Sequence, residues 1–203
     1  MTDVHAAVET ADGPPDYFEV LVAALRELLV AKGLIGADEV RAMVETLDAH
    51  GPTIGAGLVA RAWADPDFTA RLLDDATAVV EQSGIDNYDD TRFIVLEQTP
   101  QVHNLVVCTL CSCYPRPLLG LPPDWYTSRP YRSRAVREPR AVLAEFGTRV
   151  PEDVRIRVHD STANMRYLVM PMRPAGTEGW SEQQLADLVT RDSMIGVSTA
   201  RRP

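Results

Sequence analysis

The sequence predicts an α+β protein, in which an N-terminal helical arm precedes a mixed α/β globular domain. Residues 17–31 and 38–49 repeat apolar side chains at the three- and four-residue spacing of amphipathic helices. From Arg92 onward the pattern changes to short apolar or alternating runs, which are typical of strands. Helices that come first and strands that come later favour the α+β class.

Helix-terminating and helix-starting residues divide the first half into three predicted helices. Gly33 ends the first helix, and Asp38 is the expected N-cap of the second. Gly51-Pro52 stops the second helix, and Asp65-Pro66 begins the third with an acidic cap and a proline at the first helical position. The three predicted helices are residues 17–31, 38–49 and 65–84.

Strand-like runs dominate the second half. The residues from 154 to 158 alternate apolar and charged side chains, as a half-buried strand does, and Pro171 ends the last run. Ser181-x-x-Gln184 is a capping box that predicts a further helix through Val189. The predicted strands are residues 93–96, 102–107, 154–158 and 165–170.

These elements suggest three segments. Residues 1–16 contain Gly13-Pro14-Pro15 and little apolar material, which predicts a flexible tail. Residues 17–85 form the predicted helical arm, and residues 86–203 form the predicted α+β catalytic domain that carries the metal loop. The arm is too apolar to stay exposed in a soluble monomer. It either folds onto its own body or wraps a partner subunit, and we favour the partner.

Composition and charge restrict the class of protein. The chain has 203 residues, 45% of them hydrophobic, which is enough for one packed core. Its net charge of −9 argues against a nucleic-acid partner. No apolar run approaches the roughly 18 residues that span a bilayer. The polar, acidic first residues lack the pattern of a secretion signal, so we expect a cytoplasmic protein without structural disulfides.

All three cysteines lie within six residues, in Val107-Cys108-Thr109-Leu110-Cys111-Ser112-Cys113-Tyr114-Pro115. In a tight loop the sulfurs of Cys111 and Cys113 can face one ion, beside the backbone nitrogens of Ser112 and Cys113. Cys108 can supply a fifth ligand, and the sixth position then stays open. An open position distinguishes a catalytic metal site from a structural one.

Other chemistry fits the same spacing. Three thiolates and the imidazole of His103 would complete a tetrahedral zinc site. A disulfide is disfavoured because the count is odd and the cluster is local. A single nucleophilic cysteine would not need two neighbouring thiols.

The cysteine motif resembles the metal-binding signature of the nitrile hydratase alpha subunit, and the resemblance extends from about Leu21 to the C-terminal region. Thr109 and Tyr114 are similar to the cobalt-type members rather than the iron-type members. Further similar blocks are Leu119-Gly120-Leu121-Pro122-Pro123-x-Trp125-Tyr126, Tyr131-Arg132-Ser133-Arg134-x-Val136-Arg137-Glu138-Pro139-Arg140, Arg173-Pro174-Ala175-Gly176-Thr177-x-Gly179-Trp180-Ser181-Glu182 and Met194-Ile195-Gly196-Val197.

This resemblance implies a low-spin, non-corrin Co³⁺ ion, one per alpha subunit, that hydrates a nitrile to its amide. Cys108 matches the axial thiolate, Cys111 the cysteine sulfinic acid and Cys113 the cysteine sulfenic acid. Ser112 and Cys113 match the deprotonated amides. The implied partners are a beta subunit, or split beta and gamma subunits, and a cobalt-loading activator protein.

Residues around the loop have more specific expected roles. Thr109, Asp160 and Arg166 are expected to support the metal ligands from outside. Tyr114, Arg116 and Trp125 are expected to line the substrate pocket. Relatives often carry Trp where this chain has Arg116, and often carry Gln where it has Asp89-Asp90. We therefore expect a bulky or heteroaromatic nitrile rather than a small aliphatic one.

Residues 116–140 contain a basic block within this acidic chain. Six arginines stand against Asp124 and Glu138, which gives a local charge of +4. We expect this block to contribute mainly to a subunit interface. The arginines are Arg116, Arg129, Arg132, Arg134, Arg137 and Arg140.

Two rival functions remain open at this point. The metal-bearing subunit of the related thiocyanate hydrolase has the same type of motif but acts on a small anion. A non-catalytic zinc-binding module would hold tetrahedral zinc and keep its thiols unmodified. His103 separates these alternatives, because it is a ligand in the zinc module and a core or supporting residue in the hydratase.

Overall fold

The computed structural model describes residues 17–110 and 113–203, and it confirms the predicted α+β class. The predicted flexible tail of residues 1–16 lies outside the described residues. None of the described helices has the length and apolar character needed to cross a membrane. The described helices are α1 (Tyr17–Ala31), α2 (Ala37–Ala49), α3 (Pro52–Ala64), α4 (Pro66–Asp74), α5 (Ala76–Gln82), α6 (Arg116–Leu119), α7 (Asp124–Thr127), α8 (Arg129–Arg137), α9 (Pro139–Glu145), α10 (Glu182–Ala186) and α11 (Arg191–Ile195).

Two compact units divide the chain between Thr46 and Leu47. Within the first unit, α1 has the predicted bounds and α2 begins at Ala37. Asp38 therefore lies inside the first turn instead of capping it, and the Glu39 carboxylate accepts the Gly36 N–H at 2.7 Å. Neither helix contains a buried residue. Apolar side chains remain exposed on α1, with Phe18 at 69%.

Four parallel-paired strands organise the second unit. Strand β1 (Arg92–Glu97) pairs with β4 (Met165–Met170), and β2 (Val102–Val107) pairs with β3 (Arg155–Asp160). The bounds of β2 and β4 are those predicted. Strand β3 begins one residue later than predicted and extends to Asp160, because it pairs with β2 along the whole length of that strand.

The helices before β1 differ from the prediction. Helix α3 is absent from the sequence prediction, which assigns Gly51-Pro52 only to the end of α2, whereas Pro52 is the first residue of a new helix. The predicted helix of residues 65–84 is two helices separated at Asp75. The Asp75 side chain accepts the Ala78 N–H and caps α5, as Asp65 caps α4. Buried side chains of α3, α4 and α5 belong to the core that contains the strands.

The C-terminal segment packs closely against β2. Gly196 ends α11 with a φ of 88°, a conformation that other residues rarely adopt. A side chain there would also collide with the carbonyl oxygen of Asn104. The capping box of Ser181 and Gln184 forms as predicted, but α10 ends at Ala186 rather than at Val189. These contacts hold one side of the strand that leads into the cysteine loop.

Candidate metal centre

The cysteine loop begins where β2 ends, at the carboxyl edge of the β2–β3 pair. Cys108 follows the buried end of β2 and is itself fully buried. Cys113 is half-buried, and the Leu110 side chain is 91% exposed. Cys111 and Ser112 lie outside the described residues. The predicted ligand set of these residues with Cys108 and Cys113 therefore stays a prediction.

Asp160 holds the first part of the loop. The register pairs Val107 with Asp160, so the carboxylate at the end of β3 lies beside the residues that follow β2. One carboxylate oxygen accepts the Thr109 N–H at 2.9 Å, and the other accepts the Thr109 hydroxyl at 2.5 Å. The Ser161 N–H also donates to the Val107 carbonyl at 2.7 Å. Thr109 and Asp160 therefore lie together, as both predicted supporting roles require.

Arg166 and Tyr126 hold the last part of the loop. The buried Arg166 guanidinium donates to the Tyr114 carbonyl at 3.2 Å and to the carbonyls of Thr162 and Ala163. The Tyr126 hydroxyl donates to the Cys113 carbonyl at 2.8 Å. Burial raises the pKa of Tyr126 far above its ordinary value, so this hydroxyl remains a donor at neutral pH.

An aromatic cluster lies beneath the loop. Tyr114 is 1% exposed and meets Tyr126 edge-on at 4.9 Å between ring centroids. Trp125 meets Tyr131 at 4.9 Å and Phe146 at 4.8 Å. The Tyr131 hydroxyl donates to the Val106 carbonyl at 2.6 Å, which ties the cluster to β2. Within this chain Tyr114 and Trp125 are thus packed among core aromatics, and their role as pocket residues stays a prediction.

Arg116 adjoins that cluster through its backbone N–H, which donates to the Tyr114 carbonyl at 2.8 Å. It is the first residue of α6 and is partly exposed. Burial raises the pKa of Tyr88, Asp89 raises it further, and the Arg116 charge partly offsets this increase. The charges of Arg116 and Asp89 therefore both act on the Tyr88 hydroxyl, in opposite directions.

The basic block divides into two groups. Arg134 bonds to Glu138 at 2.5 Å and to Glu145 at 2.5 and 2.9 Å, and Arg140 donates to four backbone carbonyls. A second group faces the loop and lines an open depression of about 700 Å³ that Thr109 also lines. The arginines of this second group are Arg129, Arg132 and Arg137.

His103 lies at the opposite end of β2 from Cys108. Five residues of extended strand place their Cα atoms about 16 Å apart. The His103 Nε2 atom lies 2.7 Å from the Gly196 carbonyl oxygen, and burial lowers the pKa of the imidazole. The zinc site that required His103 beside Cys108 is therefore contradicted by this geometry.

Comparison with known proteins identifies the family of the chain. The family model described as "Nitrile hydratase, alpha chain" matches residues 16–198. The low-molecular weight cobalt-containing nitrile hydratase subunit alpha of Rhodococcus rhodochrous is 55% identical over 183 residues, which cover 90% of this chain and 88% of that subunit. The chain belongs to the nitrile hydratase alpha-chain family. The resemblance inferred from the cysteine motif is thereby confirmed.

Thiocyanate hydrolase is also similar. Its subunit gamma from Thiobacillus thioparus is 45% identical over 197 residues, covering 91% of this chain and 80% of that subunit. A solved structure described as recombinant thiocyanate hydrolase comprising partially-modified cobalt centers superposes with a TM-score of 0.87 at 44% identity. That match covers 93% of this chain and 92% of the other.

Sequence reasoning did not assign Tyr126 and Tyr131 to the support of the loop. Both occur in the blocks that resemble the family in sequence, but their function depends on hydroxyl groups that reach the backbone of residues 13 and 25 positions away. A tyrosine with a buried ring and a polar tip usually finds a hydrogen-bond partner. That tendency was the available signal, and it does not identify the partner.

Proposed function

We propose that this chain is the catalytic alpha subunit of a cobalt-type nitrile hydratase, which adds water to a nitrile and forms the corresponding amide. Membership of the family supports the activity, and the cobalt-containing relative at 55% identity supports the metal. The observation that carries the proposal is the cysteine loop, which Asp160 holds on one side and Arg166 and Tyr126 hold on the other.

The donor atoms fit a trivalent ion. We propose that Cys108, Cys111, Ser112 and Cys113 hold one Co³⁺ per chain, with sulfinic acid at Cys111 and sulfenic acid at Cys113. The ion would supply Lewis acidity that polarises the nitrile carbon towards water. The buried Cys108 thiol offers a donor that water reaches poorly, and the half-buried Cys113 lies nearer to the surface.

Residues outside the ligand set would keep this geometry. Asp160 would fix Thr109, while Arg166 and Tyr126 would fix the backbone at Tyr114 and Cys113. Supporting residues of this kind orient metal ligands and influence their affinity. The oxidised sulfurs would be anionic, and the arginines of the neighbouring depression would add favourable positive charge.

We propose that the chain works in a hetero-oligomer. The exposed apolar side chains of α1 and α2 support an arm that covers a partner subunit, as expected for residues 17–85. The partner would be a beta subunit or split beta and gamma subunits, and an activator protein would load cobalt. Loading requires reduced thiols, which supports a cytoplasmic location.

The test is coexpression with the partner subunits in cobalt medium. We expect cobalt at one ion per chain, conversion of a nitrile to its amide, and two added oxygens on Cys111 with one on Cys113 by peptide mass spectrometry. Tetrahedral zinc, unmodified cysteines and no hydration would contradict the proposal.

The substrate is the finer part of the proposal. Arg116, with Tyr88 and Asp89 nearby, supports a polar pocket wall and therefore a bulky or heteroaromatic nitrile. Turnover of a purine-like nitrile should exceed that of acrylonitrile, and the opposite order would contradict this choice. The similarity to thiocyanate hydrolase favours one second candidate. Release of carbonyl sulfide from thiocyanate, without amide formation from nitriles, would identify that activity.

A further inference from the structure

A separate cavity of about 370 Å³ lies at the edge of the strands opposite the cysteine loop. Val102 and Val154 line it where β2 and β3 begin, and Pro171 lines it where β4 has ended. The loop follows the other end of β2, about 16–20 Å away along the strand. Small-ligand sites in proteins commonly have volumes of about 300–1,000 Å³. The cavity is therefore large enough for a ligand and is distinct from the metal centre.

The charge of this cavity has one sign. Four arginines line it, and the described residues around it include neither Asp nor Glu. The whole chain carries −9, so this concentration of positive charge opposes the overall balance. Guanidinium groups bind carboxylate and phosphate oxygens through paired N–H donors. The lining arginines are Arg149, Arg173, Arg201 and Arg202.

The arginines differ in how they are held. Arg173 donates to the Trp63 carbonyl at 2.7 Å and to the Thr177 hydroxyl at 3.0 Å, so it forms part of the wall. Among the described residues, the Arg201 guanidinium bonds to the Asp187 carbonyl alone, at 3.4 Å. Within the part of the chain that the structure describes, the exposed guanidiniums of Arg149 and Arg202 make no hydrogen bond or ion pair. These two groups remain available to an anion.

Much of the remaining wall is apolar and already ordered. Val150 and Pro151 lie against the cavity, and the Arg140 guanidinium donates to both of their carbonyls at 2.8 Å. The backbone N–H of Arg201 donates to the Leu188 carbonyl at 2.8 Å, which fixes the C-terminal wall. A preformed wall lowers the entropic cost of binding.

We propose that this cavity is a second ligand site, which takes a small organic anion with a carboxylate on an apolar body. The carboxylate would lie between Arg149 and Arg202, and the apolar body would enter between the valines and prolines. A body of about a dozen non-hydrogen atoms suits the volume. At the drug-sized ligand efficiency of about 0.3 kcal/mol per non-hydrogen atom, such an anion binds with a Kd of about 1–2 mM.

Calorimetric titration of the cobalt-loaded hetero-oligomer with naphthoate tests this site. The expected result is one anion per chain, together with much weaker binding of the neutral naphthylmethanol. The double variant Arg149→Gln/Arg202→Gln should bind naphthoate about five- to tenfold more weakly, because it loses two exposed charge pairs. Arg155→Gln is the matched control, since Arg155 is an exposed arginine that does not line the cavity.

Three results of these binding measurements would contradict the proposed site. Equal binding of naphthoate and naphthylmethanol would overturn the anion specificity. Binding that competes with the nitrile and is unchanged in the double variant would place the anion at the metal centre and overturn the second site. Absence of binding to the assembled oligomer would mean that a partner segment fills the cavity, which also overturns the proposal. Nitrile turnover without naphthoate should be the same in both variants, so failure of this site is distinguishable from failure of the proposed activity.

Discussion

Replacing Asp160 with alanine should loosen the cysteine loop without removing a metal ligand. The substitution removes two hydrogen bonds from Thr109, of 2.9 and 2.5 Å, and leaves the backbone N–H and the hydroxyl of Thr109 to water. A hydrogen bond to a charged group contributes about 1.5–3 kcal/mol. Asp160 is exposed, so solvent screening reduces the total for both bonds to about 1–2 kcal/mol. That loss shifts the equilibrium between the closed and open loop by about 5- to 30-fold.

The rate of cobalt transfer from the assembled enzyme to a chelator measures this shift. If the ion leaves through the open loop, Asp160→Ala should release cobalt about 5- to 30-fold faster than the unmodified chain. Asp153→Ala is the matched control, because Asp153 is an exposed carboxylate just before β3, at the end of that strand opposite to Asp160. Its release rate should equal that of the unmodified chain.

A double-mutant cycle with Thr109→Val makes the test specific. This variant keeps the Thr109 N–H but loses the hydroxyl donor, so it should show part of the effect of Asp160→Ala. Combined with Asp160→Ala, it should add little, because the two substitutions remove the same contact. Equal cobalt release from Asp160→Ala and Asp153→Ala, or fully additive effects of the pair, would refute the reasoning.

Three further substitutions examine the other contacts. Tyr126→Phe leaves the Cys113 carbonyl without its 2.8 Å donor, so we expect the free energy of unfolding to fall by about 1–3 kcal/mol and cobalt release to become faster. Unchanged values in both measurements would contradict this role. Arg166→Lys keeps the charge but cannot reproduce the several guanidinium hydrogen bonds, so calorimetry should show a lower Tm. An unchanged Tm would argue against the role of Arg166 in holding the loop. Burial lowers the pKa of His103 in the folded chain below the usual 6.5. Because the unfolded chain then binds the proton more readily, the stability falls as the pH decreases below about 6.5. His103→Gln should flatten that pH dependence in denaturant titrations, and an unchanged slope would contradict it.

Local sequence signals predicted the strands better than the helices. The apolar runs that became β2 and β4 are bounded by polar residues or proline, and their predicted limits match the structure. Asp75 could not be recognised as a break, because aspartate inside a helical pattern is common and only its bond to the Ala78 N–H makes it a cap. Pro52 was ambiguous in the same way, since proline can follow one helix and begin the next.

The metal chemistry of the candidate site could be predicted from the sequence, but the hydrogen bonds that hold the cysteine loop could not. The spacing of the cysteines indicates a metal, and the family motif indicates which metal. The partners of Asp160 depend on the parallel register of β2 and β3, which local sequence does not determine. The hydrogen bond of Tyr126 depends on the position of α7 beneath the loop. Its acceptor is a backbone carbonyl, which has no sequence signature.

The predicted ligand set explains why the hydrogen bonds that hold the loop reach groups beside the metal ligands rather than the ligands themselves. If Ser112 and Cys113 contribute backbone nitrogens to the metal, the loop cannot use those nitrogens for the hydrogen bonds that normally fix a turn. The loop must then be held through other groups, and Asp160 binds the N–H and hydroxyl of Thr109 while Tyr126 binds the carbonyl of Cys113. These contacts come from β3 and α7, so the positions of the metal ligands depend on the packing of the whole second unit. A loop supported in this way can keep one coordination position open, because its shape does not depend on the metal alone.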